Sequence, residues 1–541
     1  MKHLASELLH LLPRSRRLPT TRTPCHRLFS ATLDSPPPPL RFADCEDLNP
    51  STRKALAARG IEKLTPIQAE TLAPLLQGDD VLARAKTGTG KTLGFLVPAI
   101  DRLYRSRHGK CPKTGLPNDK RTRVLVISPA RELAIQIQTE AETLLKYHDG
   151  LSADCVYGGR KIGAEARRMA KSPPSVLVAT PGRLADHLEN TENFAKRLAG
   201  VETVILDECD NLLDAGFWKS IRGILKYVPP PDQRQTMLFS ATMDEKMTKT
   251  ASEVLRKHHI IVDTAGAGGA DGGTDDTVAS VSHRAVVAPS AKQLEALMAE
   301  IVRVQASGPK HRAIIFFPTA NATKFFARLF NHAGLNVLEM HSRLSQSKRQ
   351  KVSDQFRRGY HPFLFSSDVS ARGLDYPDVT HVLQVGIPSS KEQYLHRSGR
   401  TGRGVSGARG ESILLLSSAE ARYVLDDMLP NIDGLKTSVQ AVSESEMLEH
   451  GPMLTKARAS LRRAEPAVAE KAYQAYLGSQ KDFIGSKKGG RRLGWSKERL
   501  VQEANAWSFE VLGLEKPPPL LARTVGKMGL KGTKGIQVSK G

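Results

Sequence analysis

Val81-Leu82-Ala83-Arg84-Ala85-Lys86-Thr87-Gly88-Thr89-Gly90-Lys91-Thr92 is the stretch on which the reading of this chain turns. An apolar strand-like run leads into small residues, and Lys-Thr then opens a helical pattern. That is the setting of a phosphate-binding loop. Small residues let backbone N–H groups close around phosphates, and the helix N-terminus favours negative charge. Ala85, Lys86, Thr87, Gly88, Thr89 and Gly90 are expected to line the phosphates. Lys91 is expected to reach the β- and γ-phosphates, and the Thr92 hydroxyl to sit on Mg²⁺. Ala85 stands where the usual pattern carries its first glycine. A glycine-rich turn that binds nothing is the bland alternative at this point.

Outward from this loop, short apolar runs alternate with helical patterns. Candidate strands are Val81–Ala83, Val124–Ser128, Val176–Ala179, Val204–Leu206 and Thr236–Phe239, with helical segments such as Glu132–Leu145 between them. Such alternation implies βαβ units and a parallel sheet. Residues 264–276, TAGAGGADGGTDD, lack large apolar groups and read as a flexible linker. The alternation then restarts at Ala313–Phe317, Val337–Met340, Phe363–Ser367, Val379–Val385 and Ser412–Leu416. Two α/β domains of similar size are expected, at 35–263 and 277–430.

Asp207-Glu208-Cys209-Asp210 closes the apolar run Val204–Leu206. Carboxylates at the C-terminal end of a parallel strand face the ligand crevice. Asp207 suits Mg²⁺, partly through water, and Glu208 suits orienting or deprotonating an attacking water.

With these motifs in order, the chain resembles the DEAD-box RNA helicases of superfamily 2 from about Phe42 to Leu429. The resemblance implies two tandem RecA-like domains, ATP and Mg²⁺ as cofactors, and RNA as partner, held mostly by its backbone. It implies that Gln68, within Gly60-Ile61-Glu62-Lys63-Leu64-Thr65-Pro66-Ile67-Gln68, reads the adenine edge while Phe42 stacks on its face. It implies RNA contacts for Arg131 (Pro129-Ala130-Arg131-Glu132-Leu133-Ala134), Gly159 (Gly158-Gly159), and Thr180 and Arg183 (Thr180-Pro181-Gly182-Arg183). In the second half it implies RNA contacts for Arg349 (Gln346-x-x-Arg349) and Arg372, and a nucleotide contact for Asp375 (Ser367-Asp368-Val369-Ser370-Ala371-Arg372-Gly373-Leu374-Asp375). Phe316-Phe317-Pro318-Thr319 is a further motif of that half. Asp210, Ser240 and Thr242 (Ser240-Ala241-Thr242) and His396 would couple nucleotide state to RNA grip. Arg400 and Arg403 would be arginine fingers that join Lys91, Asp207 and Glu208 in catalysis. Departures from the family pattern are Cys209 for Ala, Ala130 for Thr, Leu64 for Pro and Ser367 for Thr. None removes a catalytic group, so an RNA-dependent ATPase is expected.

The ends carry separate signals. Of a formal net charge of +23, residues 1–34 contribute +4 and residues 451–541 contribute +11. A basic end on a globular body attracts a polyanion. Residues 1–33 are Arg-rich and hold one acid, Glu7, with Leu4, Leu8, Leu11 and Leu12 at helical spacing, the composition of an organelle transit peptide. Arg27-Leu28-Phe29-Ser30-Ala31 resembles a matrix-peptidase site cut after Phe29, so the mitochondrial matrix is the expected compartment, and Pro36–Pro39 reads as a stiff spacer. Residues 431–516 read as a helical extension with Tyr473, Tyr476, Phe483, Trp507 and Phe509 as anchors, and residues 517–541 as a flexible basic tail. The extension resembles those of fungal mitochondrial DEAD-box RNA chaperones. Five widely spaced cysteines suggest neither a disulfide framework nor a zinc site. No apolar run is long enough for a transmembrane helix, and a monomer is expected.

Overall fold

Runs such as Val124–Ile127 and Val176–Ala179 are apolar at every position, so as strands they need cover on both faces. A computed structural model describes residues 40–85, 88–106, 121–264, 281–368, 376, 378–402, 410–432, 435, 437–441, 444–480 and 494–539. In it the first sheet is built from β1 (Val81–Arg84), β2 (Val124–Ile127), β3 (Ala153–Val156), β4 (Val176–Ala179), β5 (Thr203–Leu206), β6 (Gln235–Ser240) and β7 (Ile260–Asp263). Their spatial order is β3-β4-β2-β5-β6-β1-β7, and every neighbouring pair is parallel. Two apolar clusters, one on each face, cover this sheet with helices.

The second sheet uses β8 (Val281–Ala288), β9 (Ala313–Phe316), β10 (Val337–Met340), β11 (Phe363–Ser366), β12 (His381–Val385), β13 (Gly410–Ser417) and β14 (Thr437–Ala441). Its order, β10-β11-β9-β12-β13-β8-β14, repeats the first sheet strand for strand, again all parallel. Both crevices therefore open at the C-terminal ends of equivalent strands.

Four strands lay outside the sequence expectation, for physical reasons. β3, β7 and β14 are sheet edges: β3 carries Asp154 and β14 mixes polar and apolar residues, while β7 offers only the short run Ile260–Val262, in which Ile261 is 59% exposed. In β8, His283 and Arg284 interrupt the run, yet both are buried. Arg284 is neutralised there by Glu300 and by Glu411, whose carboxylate lies 3.0 Å from Arg284 Nε.

Two expected boundaries need correction. The second domain does not stop at 430, because β14, beyond it, pairs with β8 to complete the sheet. Residues 517–539 are not a loose tail. β15 (Leu520–Leu521) pairs with β16 (Val538–Ser539), and Leu520, Val525 and Leu530 are buried in the core shared with the second domain. Three side chains of this size each contribute about 1.5–3 kcal/mol on full burial, which ties the segment to the second domain's core. Before it, helices Glu444–Ala464, Pro466–Gln480 and Lys497–Glu510 pack on the second domain, with Tyr476 stacked on Trp507 at 4.4 Å. Tyr473 anchors the extension by donating to Asn505 Oδ1 at 2.7 Å, whereas Phe509 is exposed. The segment expected to be a transit peptide, residues 265–276 of the expected linker and Phe483 lie outside the described residues. Among the described residues no helix is long and apolar enough to cross a membrane.

Candidate nucleotide and RNA site

The phosphate loop turns between β1 and the helix Lys91–Arg105. Gly88 and Gly90 hold φ of 84° and 85°, the left-handed region where a side chain is strained. A Cβ on Gly90 would also lie 2.4 Å from Gln68 Nε2. Gln68 Nε2 donates to Gly90 O at 3.0 Å, and its Oε1 accepts from Thr65 N at 2.9 Å. One amide hydrogen and one lone pair remain for a base edge. Lys91, buried, donates to Ala85 O at 2.9 Å, so its ammonium is folded across the loop. Thr92 is partly exposed beside it. Phe42 differs from expectation: its ring is 2% exposed and belongs to the first domain's core, so it presents no open face. Lys86 and Thr87 lie outside the described residues.

Asp207 and Glu208 follow β5, both buried. Burial pushes both carboxyls above the usual range; Glu208's charge adds to this for Asp207, and Lys91 opposes it for both. Glu208 adopts φ 48°, an unusual state for a non-glycine, and its Oε2 accepts from Asn211 Nδ2 at 2.8 Å. Strain at such a position marks a side chain aimed by its surroundings. Asp210 Oδ2 is buried with no hydrogen-bond partner. Ser240 ends β6; its O accepts from Ala85 N at 3.0 Å and its Oγ from Thr242 N at 3.3 Å, which ties this segment to the phosphate loop.

The second domain faces this cluster. Arg400 is buried, its Nε donates to His396 O at 3.1 Å, and its charge is a minor influence against the burial that keeps the Glu208 carboxyl raised. His396 is likewise buried on the helix Lys391–Ser398. Arg372, Asp375 and Arg403 lie outside the described residues.

Of the residues assigned to RNA, the structure brings Arg131, Gly159 and Thr180 to one face of the first domain. The Arg131 guanidinium lies against Gly158 and Gly159, where a Cβ on Gly159 would meet Nη1 at 2.7 Å. Thr180 begins the helix Pro181–Asn190. Two arginines are placed otherwise. Arg349 crosses the cleft to Glu132, 2.7 Å away, with Gln346 Nε2 donating to the same carboxylate at 3.1 Å. Arg183 turns inward to Glu165 at 2.6 Å. Both guanidinium groups are nearly solvent-free because each found a carboxylate from a distant part of the chain. Glu132 and Glu165 thus went unassigned in the sequence reading. Glu132 lies within the quoted motif Pro129–Ala134 but was given no role there, whereas Glu165 looks like an ordinary helix-surface acid. A cleft of about 810 Å³ runs between the domains beside Gly159, Arg160, Gln346 and Lys351.

Family models agree with this geometry. A DEAD/DEAH box helicase model matches residues 65–250, and a helicase conserved C-terminal domain model matches residues 292–405. The chain is 40% identical over 503 residues to DEAD-box ATP-dependent RNA helicase 25 of Oryza sativa subsp. japonica, covering 92% of this chain and 78% of that one. The chain belongs to the DEAD-box ATP-dependent RNA helicases. This is a class of ATP-hydrolysing RNA helicases. DEAD-box ATP-dependent RNA helicase 31 of Arabidopsis thaliana is 42% identical to it over 492 residues, 91% of this chain and 64% of the relative. Among solved structures, Mss116p with its NTE and C-tail deleted, bound to ssRNA and AMP-PNP, matches this DEAD-box chain. The TM-score is 0.75 at 28% identity, covering 93% of this chain and 97% of that one.

The donor set of this helicase fits Mg²⁺ held jointly with phosphates. Among the described residues no group of three or more His, Cys, Asp or Glu side chains forms a metal cage. Mg²⁺ in nucleotide sites takes one or two carboxylates plus phosphate oxygens and water. Asp207, buried beside Glu208 with its ionised form disfavoured, is a carboxylate that a dication would relieve.

Proposed function

We propose that this DEAD-box helicase uses ATP hydrolysis to grip single-stranded RNA across both domains and open short duplexes locally, in the mitochondrial matrix. The observation that carries this reading is the closed cleft: Arg349 and Gln346 of the second domain meet Glu132 of the first, 2.7 and 3.1 Å away, beside the face that holds Arg131 and Gly159. Lys91 would hold the β- and γ-phosphates of ATP, with Thr92 and Asp207 holding Mg²⁺. The bound ion would neutralise phosphate charge. Glu208, held by Asn211 and by its own backbone, would orient the attacking water. Gln68 would offer its spare donor and acceptor to adenine. Arg400, with Arg403, would stabilise charge developing on the transferring phosphoryl group, an effect on the order of 10³–10⁵ in rate where measured. Arg131, Gly159 and Thr180 would hold sugar and phosphate, which gives little sequence preference. Closure forms both sites at once, so ATP and RNA each favour the closed state and thereby each other.

RNA-stimulated ATPase tests the scheme: Lys91→Ala and Arg400→Ala should each abolish it, and unaltered turnover in both defeats it. The compartment rests on the composition of residues 1–33. Residues 1–34 fused to a fluorescent protein should direct it to mitochondria, and a diffuse signal refutes that part. A second reading, an ATP-gated RNA clamp with little unwinding, is favoured by the buried ion pair between Glu132 and Arg349 that latches the domains. Slow duplex opening alongside long-lived RNA binding in a non-hydrolysable analogue would select it.

A further inference from the structure

Glu165 sits on the helix Ile162–Lys171 with its side chain 1% exposed. Its Oε2 accepts from Arg183 Nη1 at 2.6 Å and lies 3.1 Å from His187 Nε2, while its Oε1 has no hydrogen-bond partner. His187 is itself held, by Thr191 Oγ1 at 2.9 Å and by stacking on Phe194 at 4.7 Å. The second amino group of Arg183 donates to Arg160 O at 2.9 Å. Arg160 follows Gly158-Gly159, and Arg183 lies one turn into the helix that Thr180 begins.

The turn at 158–160 is therefore clamped from two sides. Arg131 presses on its glycines from the cleft, and Arg183 holds its carbonyl from behind. The same turn lies next to the second domain, since a Cβ on Gly159 would be 3.8 Å from Gln346 Cβ. A buried charged pair is a poor way to gain stability, because apolar groups of equal volume are often as good or better. What the pair supplies is direction, since a planar guanidinium with several donors fixes several acceptors at once.

We propose that Glu165, backed by His187, is a positioning residue: through Arg183 it sets the 158–160 turn and the start of the Pro181–Asn190 helix in the register that RNA backbone contact requires. This rests on the RNA-gripping reading above. Arg183 then acts as a brace, and not as a phosphate ligand.

The test uses the full-length protein and an oligo(U) single strand. The readouts are the RNA concentration for half-maximal ATPase, the KM for ATP, kcat at saturating RNA, and the melting temperature. Glu165→Gln should raise the half-maximal RNA concentration by about tenfold or more, the scale of losing one charge-assisted hydrogen bond, with the other kinetic constants within about twofold. The double variant Glu165→Leu/Arg183→Met replaces the pair with apolar volume. It should regain the melting temperature while the RNA requirement stays high. If RNA half-saturation recovers along with the melting temperature, or never changes, the residue is merely structural and the proposal falls. Should Glu165→Gln not fold, the double variant alone decides. A wild-type protein without RNA stimulation would overturn the functional reading itself, an outcome distinct from stimulated wild type with unchanged variants.

Discussion

Arg349→Met should open the closed helicase, and the size of the effect follows from the pair it breaks. Arg349 and Glu132 side chains are 7% and 4% exposed and 2.7 Å apart, in different domains. Burial, with the Arg131 charge, pulls the Arg349 pKa down, and Glu132 opposes that, so the Arg349 charge depends on its partner. Removing one partner from a buried pair leaves an uncompensated charge, at a cost of about 3–5 kcal/mol. Gln346 remains as one donor to Glu132, which places the effect near the lower end. In the open state water reaches Glu132, so the penalty falls on the closed state alone. A cost of about 3 kcal/mol shifts the closing equilibrium by roughly 150-fold. RNA affinity with a non-hydrolysable ATP analogue should weaken by up to that factor, and a fluorescence-transfer pair across the cleft should report separation. RNA affinity without nucleotide should barely change. The double variant Glu132→Met/Arg349→Met removes both charges and should recover much of the closure. Purely additive losses in that cycle, or undiminished closure in Arg349→Met, would refute the latch.

Gly90→Ala should abolish RNA-stimulated ATPase while leaving RNA binding without nucleotide intact, because the new Cβ meets both a left-handed backbone and the Gln68 amide; near-normal turnover would count against this loop geometry. Leu530→Ala should destabilise the C-terminal extension by about 2–5 kcal/mol, read by urea unfolding, whereas a loose tail would show no change. His283 is buried with Nδ1 2.7 Å from Tyr394 Oη, and burial lowers its pKa from 6.5 to about 4. The unfolded chain takes up the proton first, so stability present above pH 6.5 is lost as pH falls towards 4, by at most about 3 kcal/mol. His283→Gln should flatten that dependence in urea midpoints between pH 7 and 5, and an unchanged slope would exclude this histidine as its source.

Among the described residues, ten of the fourteen strands of the two large sheets were legible in the chain as short apolar runs, because a strand covered on both faces favours apolar side chains. β3 and β14 were not, since as edge strands they carry polar residues such as Asp154 and Gln440, and β7 was not because its apolar run spans only Ile260–Val262. β8 was hidden by Arg284, a buried charge that makes sense only beside Glu300 and Glu411. The basic end was read as unstructured because composition weights its Lys and Gly, while Leu520, Val525 and Leu530 are buried in the core shared with the second domain. Phe42 was read as stacking on the adenine face, and its ring is packed within the first domain's core.

By itself the sequence determined the chemistry on offer: a phosphate loop ending in Lys91-Thr92, an acid pair after an apolar strand, and arginines in the second half to meet them. These depend on residue type and local spacing, which the chain states directly. Only the tertiary structure decided which charges are spent internally. Arg183 and Arg349 look like RNA ligands in one dimension, but Glu165 and Glu132 neutralise them in three. The physical reason is that a guanidinium's role is set by the nearest carboxylate in space, and chain order does not contain that distance.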